Sequence, residues 1–209
     1  MKYRTIAIEG NIGSGKTTLA KLLAQKLGAT IELETFENNP FLAKFYQQPE
    51  RYALPVELFF LTDRYAQLQK TSLSENGKGI CISDYTLVKS LVFARVTLKD
   101  DELMVYERVF KITYPSIPQP DLIIFLQNTP DNLLHRIQER GRPYEKAIEA
   151  DYLEKIDQSY EQYYRQSAPG KVLVLDVSKK DFLNNPGDVQ QVIELLNEEH
   201  AVGVSEIRL

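Results

Sequence analysis

The chain has 209 residues, 43% of them hydrophobic, enough for one domain over 1–209 with a full core and no linker. A net charge of −4 provides no basic field for a nucleic-acid backbone, which argues against a polynucleotide partner. Cys81, the one cysteine, lies in the apolar run Ile80-Cys81-Ile82 as an inert thiol, and no apolar run reaches bilayer length, so a soluble, cytoplasmic protein with no membrane partner is expected.

Residues 3–9 form the first apolar, β-branched run, and it leads into Gly10-Asn11-Ile12-Gly13-Ser14-Gly15-Lys16-Thr17, followed by a helical stretch at 18–27. This is G-x-x-x-x-G-K-[ST] between a strand and a helix, a loop whose backbone N–H groups and helix terminus surround nucleotide phosphates. Lys16 is expected to reach the β- and γ-phosphates and Thr17 to hold Mg²⁺, with Gly10 to Thr18 as the ATP site. A second run, 29–33, ends directly at Glu34, within Glu34-Thr35-Phe36-Glu37-Asn38-Asn39-Pro40. Open α/β sheets place ligands at such strand ends, and a carboxylate there can take a proton from an attacking hydroxyl. Glu34 and Glu37 both qualify, Glu34 better because it closes the run.

An aromatic helix is predicted over 52–69, with Glu57 and Arg64 seven positions apart and so on one side. A third run, 79–84, precedes helices at 87–99 and 101–112; Pro115, Pro118 and Pro120 then break the chain before a fourth run, 122–126. After it come Arg136 and Arg140, one helical turn apart, then Gly141 and Arg142, a pattern that predicts a phosphate-closing lid at about 136–146. His135 is expected to be a surface or packing residue rather than a catalyst. The fifth run is 172–175, and the tail 194–209 predicts a helix with a loose end. Runs alternating with helices predict an α/β, P-loop NTPase-type three-layer fold: a five-stranded parallel sheet, helices on both faces and an arginine-rich lid.

The run 122–126 continues into Gln127-Asn128-Thr129-Pro130 rather than an Asn-Lys-x-Asp guanine-reading loop, which disfavours a regulatory GTPase. Ile80 to Asp84 fits the acidic strand of a mechanical ATPase, yet the chain is too short to add a power-stroke domain. A small kinase is the simplest reading.

The combination of Gly10 to Thr17, Glu34 to Leu42, Phe45-Tyr46-Gln47-Gln48-Pro49, the 52–64 helix, Ser83-Asp84, Phe93-Ala94 and the arginine lid resembles the deoxynucleoside kinase family. The resemblance implies ATP-dependent phosphorylation of a deoxynucleoside 5′-hydroxyl, for nucleotide salvage. It implies Glu34 as the base, Tyr46 and Glu145 on the 3′-hydroxyl, Asp84 with Thr17 on Mg²⁺, and Lys16, Arg136, Arg140 and Arg142 as catalytic cations. A homodimer follows from the same resemblance. Two departures stand out. The family's acidic residue is followed by Arg-Ser, whereas here Asp84 is followed by Tyr85-Thr86, so that either a lid arginine or Lys89 substitutes or the chemistry is weakened. The family's base-reading glutamine is replaced by Glu57, which as a carboxylate accepts from guanine N1–H and N2–H₂ while Arg64 faces O6 and N7. The competing account has Glu57 and Arg64 neutralising each other. The rival functions are a thymidylate kinase-like monophosphate kinase, although 31–36 lacks the basic acceptor residue such an enzyme needs, and a non-catalytic nucleotide-binding regulator.

Overall fold

The computed structural model of the chain describes residues 1–36, 38–74, 79–167 and 170–209, with the side chains of 71–74 left aside. Glu37 therefore lies outside the described residues. Strands β1 (Thr5–Gly10), β2 (Thr30–Glu32), β3 (Cys81–Ser83), β4 (Leu122–Gln127), β5 (Lys171–Asp176) and β6 (Gly203–Arg208) form one sheet in the order β2-β3-β1-β4-β5-β6. Every pairing is parallel. The helices are α1 (Lys16–Leu27), α2 (Leu42–Gln47), α3 (Pro49–Ser74), α4 (Val88–Thr97), α5 (Asp100–Thr113), α6 (Pro130–Arg140), α7 (Ala150–Ser167) and α8 (Pro186–Leu195).

Side chains alternate across the sheet and divide the interior into two cores. Ala7, Ile123, Phe125 and Val172 face a core with Val56 and Leu61 of α3, Leu91 of α4, Tyr106 of α5 and Tyr160 of α7. Ile6, Ile8, Ile124 and Leu173 face the opposite core, with Leu19 and Leu23 of α1 and Val189 and Val192 of α8. Because both faces are covered, β1 and β4 are buried almost throughout and apolar apart from Thr5, Glu9 and Gln127.

The expected five-stranded sheet has six strands. β6 pairs with β5 from Lys171↔Gly203 to Asp176↔Arg208, so the tail ends in an edge strand rather than a loose end, and the helix expected within it lies earlier, as α8, which stops at Leu195. Its exposure alternates residue by residue, and only Ile207 and Leu209 join the core. An edge strand with one wet face carries no continuous apolar run, which is the signal used for the other strands. α3 extends beyond 52–69 at both ends, beginning at Pro49, where the missing N–H costs no intrahelical bond.

The chain moves outward from β1 to β2, returns through β3, and crosses to β4 on the other side of β1. That reversal opens a crevice at the carboxyl end of β1, and the glycine loop begins there.

Candidate active site

A cleft of about 1050 Å³ opens at this switch point, lined by the glycine loop, Glu34, Glu57, Arg64, Lys89 and the segment 135–145. Its floor depends on glycine. Gly10 has φ 145°, and a Cβ there would lie 2.7 Å from the Leu126 carbonyl oxygen. Gly13, at φ 79°, would place one 2.8 Å from the Leu133 carbonyl oxygen. Gly15, at φ 97°, turns the chain into α1. Asn11 is buried and donates to the Leu153 carbonyl at 2.8 Å, while its Oδ1 accepts from Ile12 N–H, so its side chain fixes the loop against α7. Ile12, Gly13, Gly15 and Thr18 line the cleft, and the buried Ser14 hydroxyl has no partner among the described residues.

Lys16 Nζ donates to the Asn11 carbonyl at 2.6 Å, inside the loop's curve. Burial first, then the nearby Lys89 ammonium, pulls its pKa down to about 7. The Thr17 hydroxyl donates to Asp84 Oδ2 at 2.5 Å, and Asp84 Oδ1 accepts from Glu34 N–H at 2.8 Å. Thr17 and Asp84 thus bring hydroxyl and carboxylate oxygens together at the end of the glycine loop. Those are hard ligands of the kind Mg²⁺ takes alongside substrate phosphates. No group of three or more His, Cys, Asp or Glu that could hold a metal ion is present among the described residues.

Glu34 is held by cations on both oxygens. Oε1 accepts from Arg64 Nε at 2.8 Å and Nη2 at 2.5 Å, and Oε2 accepts from Lys89 Nζ at 2.5 Å. Burial by itself would raise the carboxyl, but the Arg64 guanidinium and then the Lys89 ammonium hold it well below the usual carboxylate range. Arg64 Nη1 donates to Ser90 Oγ at 2.7 Å, which aims the guanidinium at Glu34. Tyr85, where the family pattern has arginine, is fully buried and donates its hydroxyl to Gln67 at 2.8 Å, outside the cleft. Lys89, four positions later on α4, delivers the cation.

Glu57 shares the cleft but not the partners. It is 3% exposed; Oε1 accepts from the Thr97 hydroxyl at 3.0 Å, and Oε2 has no hydrogen-bond partner among the described residues. The hydrogen bonds of Arg64 go to Glu34 and Ser90, so the expected neutralisation of Glu57 by Arg64 takes no contact form. Burial, opposed by Arg64 and the Thr97 hydroxyl, pushes the Glu57 pKa up to about 7.

The lid arginines divide into two groups. α6 starts with Thr129 capping Asn132 N–H ahead of Pro130 and ends at Gly141, φ 69°. Arg136 donates to the Ser14 carbonyl at 3.2 Å and the Lys180 carbonyl at 3.0 Å, seating the helix on the glycine loop. Arg140 and Arg142 instead converge on Glu145, at 2.8 and 3.2 Å, and Arg142 stacks over Phe36. Tyr46 lines the cleft near Glu145 and stacks on Tyr144; its hydroxyl pKa is raised by burial first and then by Glu145. His135 lies exposed on the lid helix, 3.5 Å from Glu139.

Sequence reasoning missed Glu9, Ser90, Thr97 and Tyr160. Glu9 is fully buried, accepts from Thr86 N–H and hydroxyl at 2.7 Å and from the Tyr160 hydroxyl at 2.9 Å, and so holds the segment after β3 beside the glycine loop. A carboxylate at the end of an otherwise apolar strand was its one visible signal. Ser90 and Thr97 carry none.

A glycine loop at the switch point of a parallel sheet, facing a caged carboxylate under an arginine lid, defines a nucleotide-dependent phosphotransferase. The family model described as deoxynucleoside kinase matches residues 6–201, and the chain belongs to that family of enzymes. It is 40% identical over 193 residues to a deoxyguanosine kinase of Bacillus subtilis (strain 168), spanning 90% of this chain and 93% of that one. A deoxyadenosine/deoxycytidine kinase of the same organism is 31% identical over 201 residues, 92% of this chain and 91% of that one. Among solved structures, deoxyadenosine kinase from M. mycoides with bound dATP matches with a TM-score of 0.80 and 25% identity, over 93% of this chain and all of that one. This protein is a deoxynucleoside-phosphorylating kinase. No helix among the described residues is long and apolar enough to cross a membrane.

Proposed function

We propose that the protein transfers the γ-phosphoryl group of ATP to the 5′-hydroxyl of a purine deoxynucleoside, deoxyguanosine above the others. The observation that carries this is the pair of carboxylates in one cleft, Glu34 with two cations and Glu57 with an unpartnered oxygen. Glu34 orients the 5′-hydroxyl and takes its proton. Held so strongly as an anion, it is a weak base, which suits a loose transition state in which nucleophile positioning counts for more than early proton removal. Lys89 takes the role of the family's missing arginine. Lys16 and the backbone of Gly10 to Thr18 hold the phosphates, and Thr17 with Asp84 would hold Mg²⁺, which neutralises phosphate charge when bound.

Arg136, Arg140 and Arg142 are lid cations whose present partners are two carbonyls and Glu145, groups that a triphosphate can replace. Tyr46 and Glu145 take the 3′-hydroxyl. Glu57 accepts from guanine N1–H and N2–H₂. Arg64 has five N–H groups, three of them engaged among the described residues, so two are left for the O6 side of the base. The 40% identical deoxyguanosine kinase supports the preference for guanine. The proposal includes a single kinase domain with its lid at 136–146 and a homodimer, the latter measurable by sedimentation.

The test is ADP release with the four natural deoxynucleosides and their monophosphates as acceptors. Deoxyguanosine is expected to give the highest kcat/KM. Preference for thymidine or for a monophosphate would overturn the assignment.

A further inference from the structure

The second departure from the family pattern goes further than a preference for one base. A glutamine at the base edge has one donor and one acceptor in every condition, whereas a carboxyl group exchanges that pattern for two acceptors when it loses its proton. Glu57 is placed to make such an exchange matter. It is almost fully buried, lines the cleft, has no ion-pair partner, and keeps Oε2 without a hydrogen bond among the described residues. Thr97 occupies one lone pair of Oε1, so a base edge can meet both oxygens.

We propose that the protonation state of Glu57 selects the purine, the ionised form taking guanine and the protonated form taking adenine. This rests on the reading of the cleft as a purine deoxynucleoside site. An ionised Glu57 accepts from guanine N1–H and N2–H₂ but sets its negative charge against the lone pair of adenine N1. A protonated Glu57 donates to adenine N1 and accepts from the adenine amino group, and against guanine it sets O–H towards N1–H, leaving a buried donor unsatisfied. Mismatches of this kind, in which a site's buried polar groups lose their partners, discriminate more strongly than pocket shape.

The charged and titratable groups facing Glu57 are Arg64 on its own helix, Glu34 after β2, Tyr46 from α2, Lys89 from α4, Tyr106 from α5 and Tyr152 from α7. The tyrosines are all shifted upward, chiefly by burial, and stay neutral around neutrality. Arg64 and Lys89 are tied to Glu34, which is ionised throughout. Burial, with Arg64 opposing it, pushes the Glu57 pKa up to about 7.

The experiment measures kcat/KM for deoxyguanosine and deoxyadenosine from about pH 5.5 to 8.5, and takes their ratio. Any titration that affects phosphoryl transfer itself acts on both substrates and cancels. The ratio is expected to rise with pH by close to tenfold per unit, the signature of one proton deciding between two forms. Glu57→Gln is expected to leave a ratio that does not change with pH. A wild-type ratio that stays level or falls as pH rises overturns the proposal and leaves the purine kinase assignment standing. Absence of transfer to either purine at every pH overturns that assignment, and the proposal with it.

Discussion

Glu34 and Glu57 are the same residue type, buried in the same cleft, and their surroundings drive them in opposite directions. Glu34 has a guanidinium and an ammonium at hydrogen-bond distance and stays an anion. Glu57 has a hydroxyl and an empty lone-pair direction, and its proton comes off near neutrality. Burial is common to both, so partners decide. Under the proposed function the pair is not interchangeable negative charge: one carboxylate is fixed where the reaction needs an oriented acceptor, and the other is left adjustable where a base edge arrives. The placement of Arg64 produces the asymmetry, because Ser90 turns its guanidinium towards Glu34.

The strongest way to break this comparison is to remove the fixed member. Glu34→Gln is expected to lower kcat by about 10²- to 10⁴-fold, with little change in ATP binding, since the glycine loop is untouched. Steady-state rates with parallel ATP titration measure this, and an unchanged kcat would take Glu34 out of the reaction. Removing one of its two cations sharpens the picture. Lys89→Met is expected to cost on the order of 100-fold in kcat/KM, the size of losing one well-placed electrostatic partner. Arg64 still pairs the carboxylate, so no buried charge is stranded and Tm is expected to change little. Lys89→Arg should recover part of the loss. A fall in Tm with kcat/KM intact would make Lys89 a structural tie only.

The two carboxylates also differ in how far they were legible. Glu34 directly follows an apolar run at a strand end, and that position alone nominates it. What cages it was not visible: Arg64 and Lys89 come from different helices, 30 and 55 positions further along the chain. The glycine loop is legible because its parts are contiguous and its backbone demands glycine, as the Cβ contacts at Gly10 and Gly13 make explicit. β1 and β4 are legible because both their faces are buried. β6 is hidden for the opposite reason, since one of its faces is wet. Glu9 meets Tyr160 across 151 positions, a contact that only the completed sheet and α7 create.

Removing the adjustable member has a smaller effect, and it appears in stability. The Glu57 carboxyl, ordinarily at 4.5, is raised to about 7 in the folded protein. Between those values the folded state holds a proton that the unfolded state has lost, so stability falls as pH rises, and the loss is complete above about 7. It amounts to about 3 kcal/mol. Glu57→Gln is expected to gain on the wild type in Tm between about pH 5 and pH 7 and to level off above that. A constant difference would mean that Glu57 does not titrate in this window. Glu34 works in the reverse sense: its contribution is present above the ordinary carboxylate range and is lost on acidification.

The finest test changes only the partner of the adjustable carboxylate. The Thr97 hydroxyl lies 3.0 Å from both Glu57 Oε1 and the Phe93 carbonyl, and its one proton is shared between the two acceptors. Valine keeps the shape and removes the donor. That hydroxyl favours the ionised form, so without it the carboxyl holds its proton to higher pH. In Thr97→Val the pH at which deoxyguanosine overtakes deoxyadenosine is expected to move up by about one unit, an approximately tenfold change in the ratio at fixed pH. The backbone, Arg64 and Glu34 are left in place, so kcat for the preferred purine on its own side of the crossover should hold. An unmoved crossover would show that Thr97 does not set the charge of Glu57, and would return the control of that charge to burial and Arg64 alone.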